Sequence, residues 1–152
     1  MKRTKIEQIL VLSVLLACWT GAAAVAAPRS ETMPGPIEAR VVRVIDGDTI
    51  LVRAKVWLGQ EVETLVRLSG IDTPELSGRC PREKQMAEKA RAFLVARLAQ
   101  GEVRLRQVAF DKYGGRVLAK VETNDGEDLG TLLLRNGLGR AYGGTARSTW
   151  CN

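Results

Sequence analysis

A chain of 152 residues, 45% hydrophobic and 26% charged, supports one ordinary globular core and excludes two. It has no histidine, which removes Ser-His-Asp triads, histidine-dependent nucleases and zinc sites with imidazole ligands. Its formal charge of +6 favours a polyanionic partner such as nucleic acid or an anionic membrane surface, although mild basicity also serves solubility and decides nothing alone.

The N-terminal stretch carries Lys2, Arg3 and Lys5, then an apolar run from Ile9 to Trp19, then small residues. That order predicts a secretory signal peptide over residues 1–27, cleaved near Ala26 or Ala27, and hence a secreted or periplasmic protein. The apolar run falls short of the roughly 20 residues of a stable membrane span. A competing reading takes "LLAC" as a lipoprotein signal acylated at Cys18. Cleavage removes three of the 23 basic and one of the 17 acidic residues, leaving 20 against 16 and a net charge of +4. With Cys18 set aside, Cys80 and Cys151 remain, an even number in an oxidising compartment, and they are expected to pair; two free thiols are the alternative.

Residues 28–36, "PRSETMPGP", read as a flexible linker before a domain over residues 37–152. "IEARVVRVI" is strand-like. "TILVRAKVW" alternates, with Ile50, Val52, Ala54 and Val56 on one face and Arg53 and Lys55 on the other. "DGD" between them is a tight-turn signal. "EVETLVRLSG" makes a third strand, with Val62, Val66 and Leu68 opposite Arg67. "PREKQMAEKARAFLVARLAQG" then changes period, placing Met86, Ala90, Phe93, Leu94 and Leu98 at helical spacing, with Pro81 in the first turn and Gly101 past the end. "EVRLRQVAF" and "RVLAKVE" flank the loop "DKYGG", and "DLGTLLLRNG" is a short helix closed by Gly137. Three strands, a helix, two strands and a helix give a mainly β fold with helices (α+β). The order is that of a five-stranded OB-fold Greek-key barrel with packed α-helices, a scaffold that binds oligonucleotides or sugars; other small α+β folds share it.

Without histidine, hydrolytic chemistry falls to carboxylates, arginines and lysines. Asp46 and Asp48 occupy "IDGDT" before the second strand; Asp72 and Glu75 occupy "IDTPE" after the third. In a flat hairpin these groups are expected at opposite ends, so that only a curled, closed sheet would unite them. Each is also an ordinary turn on its own. "FDKYGGR" reads either as a hairpin loop whose two glycines take positive φ or as a loop presenting Lys112, Tyr113 and Arg116 to a phosphate.

The joint, ordered occurrence of "IDGDT", "RLSGIDTPE", "DKYGGRVLA" and "LLLRNGLGRAY" resembles the staphylococcal nuclease-like (thermonuclease) family over residues 37–142. The resemblance implies an OB barrel and a Ca2+-dependent phosphodiesterase acting on DNA and RNA. It implies Asp48, Asp72 and the carbonyl of Thr73 as metal ligands, with Asp46 structural. It implies Glu75 as general base or site organiser, Arg67 and Arg116 on the scissile phosphate, and Lys112, Tyr113 and Tyr142 against the nucleotide. Two departures stand out. The loop has one glycine more than the family's usual Asp-x-Tyr-Gly-Arg, and the C-terminal helical structure of longer members is not expected, its packing being replaced by the Cys80–Cys151 bond. A monomer is expected. The alternative function is a non-catalytic OB module binding nucleic acid or an acidic polysaccharide.

Overall fold

A computed structural model describes residues 31–151; the expected signal peptide, Cys18 and the start of the linker lie outside them. Alternating apolar residues along three long strands require two faces, and the strands meet that need by closing on themselves. β2 (Ile37–Val44), β3 (Thr49–Trp57) and β4 (Gln60–Leu68) form an antiparallel meander. β6 (Glu102–Phe110) pairs with both β2 and β7 (Arg116–Thr123), and β7 returns in parallel beside β4. The order β6-β2-β3-β4-β7-β6 is therefore a closed five-stranded barrel of OB type.

Irregularities in the ladders produce the curl. The β2–β3 register shifts between Val41 and Arg43, and the β6–β7 register shifts between Arg106 and Ala109, where Gln107 adopts φ 52°. Extra residues of this kind bend one strand against its partner. Within the stretch read as a linker, β1 (Thr32–Met33) pairs with Val108 and Ala109 of β6, an element too short for any periodic pattern to announce.

Ile50, Val52, Val66, Leu68, Val103, Leu105, Ala119 and Val121 line the buried interior. Two of the expected core positions are exposed, because Val56 and Val62 belong to the distal part of the β3–β4 hairpin, which runs past the barrel's end together with Trp57 and Leu58. Period-two alternation continues along a strand regardless of whether anything covers it.

α1 (Pro81–Arg97) packs Ala90 and Leu94 into the barrel's core. Its buried stripe is Glu83, Ala87, Ala90 and Leu94, with Leu98 in the following turn; Met86 and Phe93 are half-buried on its flanks. The stripe includes a carboxylate and two alanines, and so is less apolar than a helix face usually is. Full burial of Leu94 contributes about 2 kcal/mol by area transfer. α2 (Leu129–Arg135) starts at Asp128, whose carboxylate accepts the Thr131 amide at 2.8 Å, and buries Leu129 and Leu133 in the same core. Two short strands, β5 (Ile71–Asp72) and β8 (Arg140–Ala141), pair outside the barrel, so that the chain's last segment crosses the acidic loop after β4. No described helix is long and apolar enough to cross a membrane.

Candidate active site

The antiparallel ladder itself unites the two acidic groups, which corrects the expectation that they sit at opposite ends. Thr49, the first residue of β3, faces Arg67 at the end of β4, and the Leu68 amide donates to the Asp48 carbonyl at 2.8 Å. The turn before one strand and the exit from its antiparallel neighbour share an end of the sheet, curled or flat. The approach is close: a Cβ added to Gly47 would stand 2.8 Å from Thr73 Oγ1 and 2.8 Å from Ala90 Cβ.

Asp46 is structural, its carboxylate accepting the Asp48 amide at 3.0 Å. Asp48, Asp72 and Thr73 are all buried. Asp48 Oδ1 accepts the Thr49 hydroxyl and Oδ2 accepts Arg67, each at 3.0 Å. Burial raises the Asp48 carboxyl from 3.8 to about 6; Arg67 and the Thr49 bond pull it back, while Asp46 and Glu75 push it further up. Asp72 Oδ2 accepts the indole N–H of Trp150 at 3.2 Å. Its Oδ1 lies 2.8 Å from Arg147 Nε, which is out of line to donate, and 3.9 Å from Arg67, which is too far, so the buried atom has no hydrogen bond.

Arg67 is the most constrained cation of the site. It is buried, donates to the Ile71 carbonyl at 3.2 Å and to Asp48, and has its guanidinium 5.8 Å from the centre of the Tyr142 ring. The loop with the extra glycine sets Arg116 on the cleft that Arg67 also faces. Residues 111–115 make the turn, with only Gly115 at positive φ, and Arg116 begins β7 opposite Leu65. There it pairs with Asp111 and lies 5.2 Å from the centre of the Tyr113 ring, as Lys112 does at 5.1 Å. Burial alone would raise the Asp111 carboxyl, but the bond and charge of Arg116 and the Lys112 and Tyr113 amides outweigh it and hold the group below its usual value.

Arg67, Glu75, Lys112, Tyr113, Arg116 and Tyr142 all face one cleft of about 1010 Å³, together with Arg147. Glu75 is half-exposed and pairs through Oε1 with Arg147. Asp48, Asp72 and Glu75 do not bring three carboxylate oxygens within 4.8 Å of one another; among the described residues only Cys80, Glu83 and Cys151 form such a cluster. The Sγ atoms of that cysteine pair are in bonding contact, with Cα atoms 5.8 Å apart, a separation a disulfide spans, so the cluster offers no free thiolate pair to a metal.

The family model described as staphylococcal nuclease homologue matches residues 65–149. The chain belongs to the staphylococcal nuclease family. It is also similar to Endonuclease YhcR of Bacillus subtilis (strain 168), with 31% identity over 123 residues, 76% of this chain. The aligned part covers 10% of that relative, so the chain spans about a tenth of its length.

Within this staphylococcal nuclease homologue, four site residues went unassigned in the sequence. Asp111 holds Arg116. Glu83, in the first turn of α1, accepts the Arg79 amide at 2.9 Å and so shapes the loop that carries Glu75. Trp150 is buried beneath Arg140, whose guanidinium lies 3.7 Å from the centre of the indole ring. Arg147 reaches Asp72 and Glu75; burial would lower its proton affinity, but these carboxylates raise it above the usual arginine value. The available signal was Cys151. Pairing it with Cys80, five residues after Glu75, brings the tail to the acidic loop but does not say which of its side chains meet the carboxylates.

Proposed function

We propose that the protein is a calcium-dependent endonuclease that hydrolyses phosphodiester bonds of DNA and RNA outside the cytoplasm. One observation carries the reading: Glu75, Arg67 and Arg116 face a single cleft at the edge of two buried aspartates. A nucleic-acid-binding module needs the arginines, but gains nothing from two buried carboxylates beside them.

The residues fit calcium. Asp48, Asp72 and the Thr73 carbonyl are hard oxygen donors, the kind that this cation takes in irregular sets of about six to eight. Asp72 Oδ1 is a buried acceptor without a hydrogen bond, and burial, which raises the Asp48 carboxyl, strips its charged form of solvation that a bound cation would replace. Bound there, the cation supplies neutralisation of charge on the phosphate.

The protein's own groups do the remaining work. Arg67, fixed by a main-chain carbonyl and Asp48, presents a guanidinium that needs no reorganisation to meet a phosphate oxygen. Arg116 approaches from β7 with its orientation set by Asp111 and Tyr113. Two planar forks can share the equatorial oxygens as charge builds on them. Glu75, half-exposed at the cleft wall, accepts a proton from the water that attacks phosphorus, as the bond to the leaving oxygen breaks. Lys112 draws in the neighbouring phosphate, and Tyr113 and Tyr142 offer ring faces to sugar or base. The proposed setting, reached through an N-terminal signal, suits a Cys80–Cys151 disulfide.

The test is incubation of single-stranded DNA with the oxidised protein in calcium or in excess chelator. Cleavage in calcium that stops in chelator is expected. Binding without cleavage in either condition would make the protein a binding module.

A further inference from the structure

Arg147 pairs with Asp72 and Glu75 from a segment built to hold it there. The last twelve residues of the described chain cross the acidic loop as a strap. At one end, Arg140 and Ala141 pair with Asp72 and Ile71, and the Tyr142 amide donates to the Gly70 carbonyl at 3.0 Å. At the other, Trp150 is buried against Asp72 and Cys151 meets Cys80. Between them Arg140 donates to the Thr149 carbonyl at 2.8 Å, and the Tyr142 hydroxyl donates to the Thr145 carbonyl at 2.5 Å. Arg147 projects from the middle of this strap to both Asp72 and Glu75.

The two oxygens of Asp72 are used differently. Oδ2 accepts from the Trp150 indole, whereas the buried Oδ1 accepts no hydrogen bond and keeps its lone pairs for a cation. Arg147 Nε sits 2.8 Å from Oδ1, close enough for an ion pair, but out of line for a hydrogen bond. The guanidinium thus lends its charge to Oδ1 without satisfying it. A divalent ion would satisfy the same oxygen better, and two cations cannot share so small a space beside one carboxylate atom.

We propose that Arg147 is a built-in competitor of calcium for Asp72 Oδ1, so that the strap sets the calcium concentration at which the site fills. The proposal rests on the calcium reading above. Metal-free, the guanidinium neutralises the pocket and keeps the acidic loop in place. On filling, it leaves Oδ1 while remaining on a strap that lines the substrate cleft.

The test is calorimetric titration of calcium into the oxidised protein without nucleic acid. Arg147→Ala should bind calcium roughly two- to fivefold more tightly than wild type, the range expected on losing a partly exposed ion pair, and Arg147→Lys should fall between. Arg147→Gln, which removes the charge but keeps a polar, unbranched side chain, repeats the measurement should the alanine variant lose cooperative melting. Arg79→Ala is the charge control, since this exposed residue makes no ion pair among the described residues. Equal or weaker calcium affinity in folded Arg147 variants would overturn the proposal, as would equal tightening in Arg79→Ala. Absence of calcium uptake by wild type and variants alike would remove the calcium reading and this proposal with it, whereas uptake with unchanged affinity would remove the proposal alone.

Discussion

Asp48 carries the charge that the metal-free barrel accommodates least well. The unfolded chain releases this proton near 3.8 and the folded chain near 6, burial being the main cause. The folded state therefore binds the proton more tightly. That stabilising contribution is complete below about pH 3.8 and lost as pH rises through about 6, a change of about 3 kcal/mol. In chelator, the stability of wild type minus that of Asp48→Asn should fall by about this amount from about pH 3 to about pH 7. Denaturant melts at several pH values measure it, and a flat difference would contradict the assignment. Asp48, Asp72 and Glu75 were legible because they sit in short motifs whose order matters. Arg147 and Trp150 were not, because "TARSTWC" has no turn chemistry or periodicity, and their roles exist only once the tail crosses the loop.

At the level of elements, one pairing decides where the tail goes. Cys80 is the residue before α1, Cys151 ends the strap, and their sequence separation is 71. Closing a loop of this size stabilises a fold by about 4 kcal/mol on the chain-entropy model. Replacing both cysteines by serine should cost about that much in denaturant melts and increase acrylamide quenching of Trp150. Unchanged stability and quenching would mean that β8 and the indole hold the strap unaided. The barrel strands and both helices were readable from periodicity and from Pro81, Gly101 and Gly137, since burial imposes a repeat on each. The protruding β3–β4 hairpin was not, because Val56 and Val62 keep the alternation of the core beyond the point where the core ends. The convergence of the acidic turns was legible in principle: antiparallel neighbours bring a strand's start beside its partner's exit, as the Thr49–Arg67 pair does.

Across the whole molecule, the barrel brings a basic set of side chains to one mouth. Arg67, Lys112, Arg116 and Arg147 face the cleft against Glu75 and Asp111, so a polyanion is attracted to it. Binding of single-stranded DNA should weaken with salt, and Lys112→Ala should flatten the slope of log affinity against log salt by about 0.7, the loss of one phosphate contact on a single strand. Fluorescence anisotropy in chelator measures this without turnover, and an unchanged slope would place Lys112 off the backbone path. Neither composition nor net charge could locate this mouth, which depends on the parallel return of β7 beside β4 to set Arg116 near Arg67. The central claim is that Glu75 takes the proton in a site where Arg67 and Arg116 hold the phosphate. Single-turnover cleavage of single-stranded DNA at saturating calcium tests it most directly. Glu75→Gln, which keeps the side chain's shape, should slow the step by about 10²- to 10⁴-fold with little change in DNA affinity. A rate equal to wild type would contradict the account.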